Sequence, residues 1–333
     1  MIRLSAAYLV VLLLASSCFA QRPEPAASDA VIRTNVPLVL VPVTVTDRKG
    51  KLIDGLQLED FILTDEGKPQ KVRLDTSDTV LAPIALVIAI QTSGISSPEL
   101  AKIRRVSGMF KPIVAGERGQ VAVISYNSEV KTLQEFTTDA STVSGAVERI
   151  NAYSIKTARM IDAISEGAKM LATRPENYRR ILLILGESRD RGSKAKLTDV
   201  IEEAQRAGVA VYSGTYSVQA SAFTAKPEDN PSMPATAGAT WDIGATMVEF
   251  GRLGNKNAAD AFAKATGGGR LSFTTLDGLE KAISRAGEEI HSQYLLSFVP
   301  QSSGKTGFHQ IQVAVPKQPY AVIRVRPGYW PQQ

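Results

Sequence analysis

The loop Gln91-Thr92-Ser93-Gly94-Ile95-Ser96-Ser97 is the densest set of small polar groups at a strand end in this chain. It offers hydroxyls and one amide, so its chemistry is hydrogen bonding rather than proton transfer. The two histidines, His291 and His309, both lie in or beside the carboxyl-terminal segment, and no Gly-x-Ser-x-Gly turn supplies a serine nucleophile for either of them. His291 reads as a helix-end residue facing the dipole, and His309 as the exposed start of a strand. No His/Cys/Asp/Glu spacing suits zinc. Gly267-Gly268-Gly269 follows a helical stretch and reads as a stop and turn, not as the strand-to-helix cradle that a phosphate requires. Glu187, Asp190 and Asp199 cluster near a strand end beside Arg189, Arg191 and Lys194, where salt pairs are the ordinary outcome. The chain is therefore expected to be non-enzymatic and to need no cofactor.

The elements that position the Gln91 loop are legible in the apolar pattern. Residues 84–90 form an unbroken apolar run, the signature of a strand buried on both faces of a parallel sheet. In such sheets ligands sit outside the carboxyl ends of the strands, which is where this loop lies. Strand and helix patterns then alternate. Leu100, Ile103, Val106, Phe110 and Ile113 recur at helical spacing, and residues 120–125 and 129–136 read as strands. Ile161, Ile164, Ala168 and Leu171 make a second helical stripe, followed by a buried strand at 180–185. A helix through Val200, Ile201 and Ala204 ends at Gly208, before a strand at 209–213, and Leu279, Ile283, Ala286 and Ile290 mark the last helix. This predicts an α/β fold with a doubly wound, mostly parallel sheet over residues 81–293.

Both flanks read as β structure. Val39, Val41, Val43 and Val45 alternate ahead of the turn Asp47-Arg48-Lys49-Gly50, and a second strand surrounds Phe61 and Leu63. At the other end, residues 294–299, 311–315 and 321–325 are strand-like, with a turn at 316–319. Two or three strands are not stable alone, so residues 33–80 and 294–333 are expected to build one small β domain into which the α/β domain is inserted. Within the latter, residues 217–257 are rich in Ala, Thr, Gly and Pro. Such a long loop is either functional, with Trp241 and Phe250 as apolar anchors for a partner, or a tolerated insertion.

Residues 1–20 combine Arg3, an apolar core and small residues before Gln21, which predicts a secretory signal peptide followed by a Pro/Ala-rich linker at 21–32. Export leaves no transmembrane span in the mature chain and implies a secreted or periplasmic location. Cys18, the one cysteine, also lies near a lipoprotein-type cleavage box, the alternative being a lipid anchor at that residue. Losing Arg3 lowers the net charge from +5 to +4, an excess too small to argue for nucleic acid. Arg104-Arg105 and Arg179-Arg180 read as solvated element ends.

Taken with its flanks, the Ile-Gln-Thr-Ser-Gly-Ile-Ser run resembles the Asp-x-Ser-x-Ser loop of von Willebrand factor type A (VWA) domains, in particular the secreted bacterial VWFA-related family. VPVTVTDRKGKLIDGL and DFILTDEGKPQKV before the domain, and IHSQYLLSFVP and IRVRPGYW after it, extend the resemblance over residues 33–330. The resemblance implies that strand 129–136 is an antiparallel edge. It also implies a magnesium site whose open position captures a partner's carboxylate. Carried over, the five ligand positions fall on Gln91, Ser93, Ile95, Thr157 and Leu185, so both carboxylates are replaced and the site is degenerate. Magnesium prefers anionic oxygens, so no metal is expected. The resemblance implies a non-catalytic, adhesion-like module binding an unidentified protein through Gln91, Ser93, Ser96, Thr157, Glu187, Asp190 and Trp241. The alternatives are a scaffold without a ligand site, or metal-dependent adhesion with Ser96, Glu187 or Asp190 as substitute ligands.

Overall fold

The computed structural model describes residues 38–75, 82–93, 97–114, 118–216, 257–300 and 307–331. The expected signal segment, the linker, Cys18, Ile95, Ser96, Trp241, Phe250 and residues 217–256 of the long loop lie outside the described residues.

Alternation puts Val39, Val41, Val43 and Val45 on one face of β1 (Val39–Thr46), and all four are buried. The amino-terminal flank continues with β2 (Ile62–Asp65), β3 (Lys68–Pro69) and β4 (Val72–Asp75). These strands form two four-stranded sheets with β11 (Tyr294–Phe298), β12 (His309–Ala314), β13 (Val322–Arg324) and β14 (Gly328–Tyr329). The orders are β13-β1-β11-β4 and β14-β12-β2-β3. Each sheet takes strands from both ends of the chain, and Val41, Val43, Leu63, Leu296, Phe298, Ile311 and Val313 fill the space between them. The turn after β12 crosses between sheets: β12 pairs with β2, whereas β13 pairs with β1.

His309 departs from expectation. It is 2% exposed, with Nδ1 3.1 Å from Asp65 Oδ1, and the Tyr329 hydroxyl donates to Asp65 Oδ2 at 2.9 Å. Strand β12 lies inside its sheet, so its first residue is covered. The period of two through Ile311 and Val313 already places His309 on the buried face.

The α/β unit is a six-stranded sheet of order β10-β9-β8-β5-β6-β7. Its strands are β5 (Ile84–Gln91), β6 (Gln120–Tyr126), β7 (Val130–Thr137), β8 (Arg179–Glu187), β9 (Val209–Tyr216) and β10 (Arg270–Phe273). All pairings are parallel except that of β7, which is antiparallel to β6 at the edge. Every residue of β5 is buried. Leu86, Ile88 and Ile90 face a core shared with α1 (Ser97–Arg105), α2 (Ala140–Glu148) and a third helix, Leu276–His291. Ala85, Val87 and Ala89 face the helices α3 (Met160–Ala172), α4 (Leu197–Arg206) and α5 (Ala258–Thr266); the helix Leu276–His291 is α6. Gly208, with φ +64°, ends α4 as expected.

Two of the paired arginines are not solvated. Arg179 donates to the Ile290 carbonyl at 2.7 Å, and Arg180 to the carbonyls of Ala207 at 2.8 Å and Arg174 at 2.6 Å. Both are half-buried and satisfy the orphan carbonyls that end helices. Arg104 likewise donates to the Ile150 carbonyl.

The candidate interaction edge

Strand β5 delivers Gln91 to the carboxyl end of the sheet, level with Tyr126 on β6. Ile90 is level with Leu185 on β8, so the next residue, Gly186, flanks Gln91 on the other side. The Gln91 side chain works as a latch: Nε2 donates to Ser93 Oγ at 2.6 Å, and Oε1 accepts from the Glu187 backbone N–H at 2.8 Å. An amide supplies one donor and one acceptor group, which a carboxylate cannot do while ionised. Gln91 is 1% exposed and Ser93 is fully buried, so both are spent on closing the loop. Thr92 ties the loop to its neighbours, accepting from Tyr153 N–H through its carbonyl at 2.8 Å and from Asn127 Nδ2 through its hydroxyl at 3.0 Å.

Gly186 is required by this packing. A Cβ there would lie 2.2 Å from the Tyr126 hydroxyl and 2.7 Å from Gln91 Oε1. The Tyr126 hydroxyl is itself buried without a hydrogen-bond partner among the described residues. Burial, followed by the nearby Tyr216, Glu187 and Asp190, pushes its pKa well up.

Glu187 follows as a carboxylate whose side chain is only 6% exposed, with Oε2 2.6 Å from Arg191 Nη2. Its Oε1 is buried without a hydrogen-bond partner among the described residues. Burial raises its pKa, while Arg191 and Arg189 pull the other way. This is the salt pairing anticipated for the cluster. Asp190 turns inward instead. Its Oδ1 accepts from Ile161 N–H at 3.1 Å and Ser193 Oγ at 2.6 Å, so it caps the amino end of α3 from a neighbouring loop. Asp162, in the first turn of α3, returns the favour by accepting from the Lys194 and Ala195 N–H groups at 3.0 and 2.9 Å. Reciprocal backbone bonds between Ala158 and Arg191, at 3.0 and 2.8 Å, complete the seam. Thr157 is half-buried beside Gly192.

The described residues at this edge do not by themselves fit a hard divalent cation. Gln91 Oε1 is held by a backbone N–H, its amino end faces Ser93, Glu187 is matched to a guanidinium, and Asp190 is filled by hydrogen-bond donors. Magnesium needs anionic oxygens in near-octahedral array. Among the described residues no group of three His, Cys, Asp or Glu is arranged to hold a metal.

The family model described as von Willebrand factor type A domain matches residues 86–226. The chain carries a VWA domain. No curated protein matches the chain. Solved structures similar to it include the conserved hypothetical protein BatB from Bacteroides thetaiotaomicron, 16% identical over 62% of this chain and 98% of that one, with a TM-score of 0.45. An aerotolerance-related membrane protein from Bacteroides fragilis is 17% identical over 62% and 98%, with a TM-score of 0.42. A von Willebrand factor type A structure from Catenulispora acidiphila is 10% identical over 90% and 64%, with a TM-score of 0.46.

Of the residues singled out in the sequence, the VWA domain brings Gln91, Ser93 and Glu187 together and sets Thr157 and Asp190 on the adjoining seam. Leu185 turns away: it is 1% exposed and belongs to the core on the opposite face, so the strand-end positions beside Gln91 are Gly186 and Glu187. Sequence reasoning missed Tyr126 and Asp162. Tyr126 was within reach, because it closes the strand that must lie level with Gln91.

Proposed function

We propose that this chain is an exported, non-catalytic protein-interaction module whose VWA domain binds its partner without a metal, through the carboxyl-end edge formed by the 156–159 and 187–194 segments. The Glu187–Arg191 pair carries the reading: at 2.6 Å a fixed guanidinium already matches the edge's buried carboxylate, so the site holds its own cation. Export rests on the composition of residues 1–20, with lipidation at Cys18 as the anchored form of the same reading.

Calorimetric titration of the mature chain with magnesium and manganese, with melts in chelator, tests metal independence. Binding of about one ion with a chelator-sensitive melt overturns it. Photocrosslinkers placed at Lys156 and Arg189, with Leu133 on β7 as control, test the edge in the producing cell. Crosslinks to one protein from the edge positions alone support the module. A second reading, a scaffold without a ligand site, is favoured by the complete burial of Ser93 and predicts no edge-specific crosslink.

A further inference from the structure

On the 156–162 and 187–194 segments every carboxylate is committed inward. Asp162 and Asp190 accept backbone N–H groups, and Glu187 holds Arg191. The cations are directed outward: Lys156, Arg189, Arg191 and Lys194 are exposed, and Arg159 is half-buried. Among the described residues, Lys156, Arg189 and Lys194 form no ion pair within 4.0 Å, whereas the surface lysines Lys131 and Lys281 have acidic partners at 3.0 and 2.8 Å. The edge therefore shows a partner positive charge while its negative charge is screened behind it.

Arg191 is the best-prepared of these groups. Its backbone N–H and carbonyl are both bonded to Ala158, at 2.8 and 3.0 Å. Its Nη2 is held at 2.6 Å by Glu187, and its side chain remains 40% exposed. A guanidinium has five N–H donors in a rigid plane, and immobilising it in advance lowers the entropy lost when a second carboxylate docks. Tyr153, half-exposed and joined through its N–H to the Thr92 carbonyl at 2.8 Å, adds an aromatic contact beside the edge.

We infer that the partner group read by this edge is acidic, a carboxylate-bearing protein segment received by Arg191 and flanked by Lys156, Arg189 and Lys194. This rests on the interaction-module reading above. A short acidic segment fits better than a nucleic acid. The positive charge of the edge is confined to two short segments whose carboxylates are already bonded within the protein, and the whole chain carries only +5 over 333 residues. Phosphate-backbone binding instead uses an extended basic track.

The probe is N-acetyl-hexaglutamate amide, followed through the backbone amide shifts of Arg191, Gly192 and Ser193, with hexaglutamine as the neutral control. We expect saturable shifts with hexaglutamate alone, weakening as salt is raised from 50 to 200 mM, on the order of the Debye screening change. The surface variant Lys156→Gln/Arg189→Gln/Lys194→Gln should bind about tenfold more weakly. Arg191→Gln/Glu187→Gln, which removes both members of the pair and leaves no unmatched buried charge, should lose a similar factor. Unchanged affinity in both variants, or equal shifts with hexaglutamine, overturns the inference. So does displacement of hexaglutamate by a 12-base-pair DNA or by phosphatidylglycerol vesicles binding more tightly. Edge crosslinks without a hexaglutamate response overturn only the acidic partner, whereas absence of edge crosslinks removes the module reading as well.

Discussion

Around the start of β8, where the VWA domain meets the β sandwich, Glu289 accepts from Tyr212 at 2.8 Å and pairs with Arg324. Gln293 donates to both Tyr212 and Thr44 at 3.1 Å, and Arg179 also reaches Gln293. Trp330, near the end of the chain, donates to Gln205 at 3.3 Å and lies under Arg206, whose guanidinium is 4.1 Å from the ring centre. Polar groups from both domains close on one another there. At the carboxyl end of the same sheet, Glu187 finds Arg191 within four residues of its own loop, and the remaining cations look outward. A buried charge matched across two domains fixes their relation, whereas one matched locally leaves its neighbours available for a third molecule.

The largest effect that would break this contrast belongs to the junction. Arg324→Met should cost about 3 kcal/mol in urea unfolding, because it leaves Glu289 buried with only Tyr212; a loss under about 1 kcal/mol would mean the junction is not sealed. At the open edge, Gly186→Ala drives a Cβ against the Tyr126 hydroxyl and should cost about 2 kcal/mol. Adding Tyr126→Phe should recover part of that loss, since it removes the nearest clashing atom and a hydroxyl without a partner. If the double variant is no more stable than Gly186→Ala, Tyr126 does not set the limit.

Acidity sharpens the comparison further. Folding raises the Glu187 pKa, so the fold favours its protonated form. That contribution is present in full below the ordinary carboxylate value and is lost as pH rises through the raised one. Wild type should therefore lose stability relative to Glu187→Gln across that window in denaturant titrations from pH 4 to 7. A flat difference would show that Arg191 cancels the burial cost. The smallest expected effect is that of Lys156→Gln/Arg189→Gln/Lys194→Gln, whose melt should stay within about 0.5 kcal/mol of wild type.

Much of the fold was legible because apolar periodicity is local. The valines of β1, the unbroken run of β5 and the stripe Ile161, Ile164, Ala168 and Leu171 on α3 each announce their element and buried face. Helix α2 was harder to read, since Val143, Ala146 and Val147 give it a short, weak stripe. At the edge, the sequence placed Gln91 and Ser93 at a strand end and paired the acids near 187 with their basic neighbours. It also put Leu185 at the strand end beside Gln91, where the structure has Gly186. A shift of a single residue along a strand reverses the face, and only the register of β8 against β5 decides it.

By itself, then, the sequence determined the alternation of elements, the resemblance to VWA domains, and an amide rather than a carboxylate at position 91. The tertiary structure decided which polar groups satisfy one another: Gln91 with the Glu187 backbone 96 residues away, Asp190 with the first turn of α3, and His309 with Asp65 across 244 residues. The reason lies in the range of the forces. Burial preferences repeat along the chain with the period of a strand or helix, whereas a buried hydrogen bond requires two atoms within about 3 Å, and that proximity exists only after the sheets have assembled.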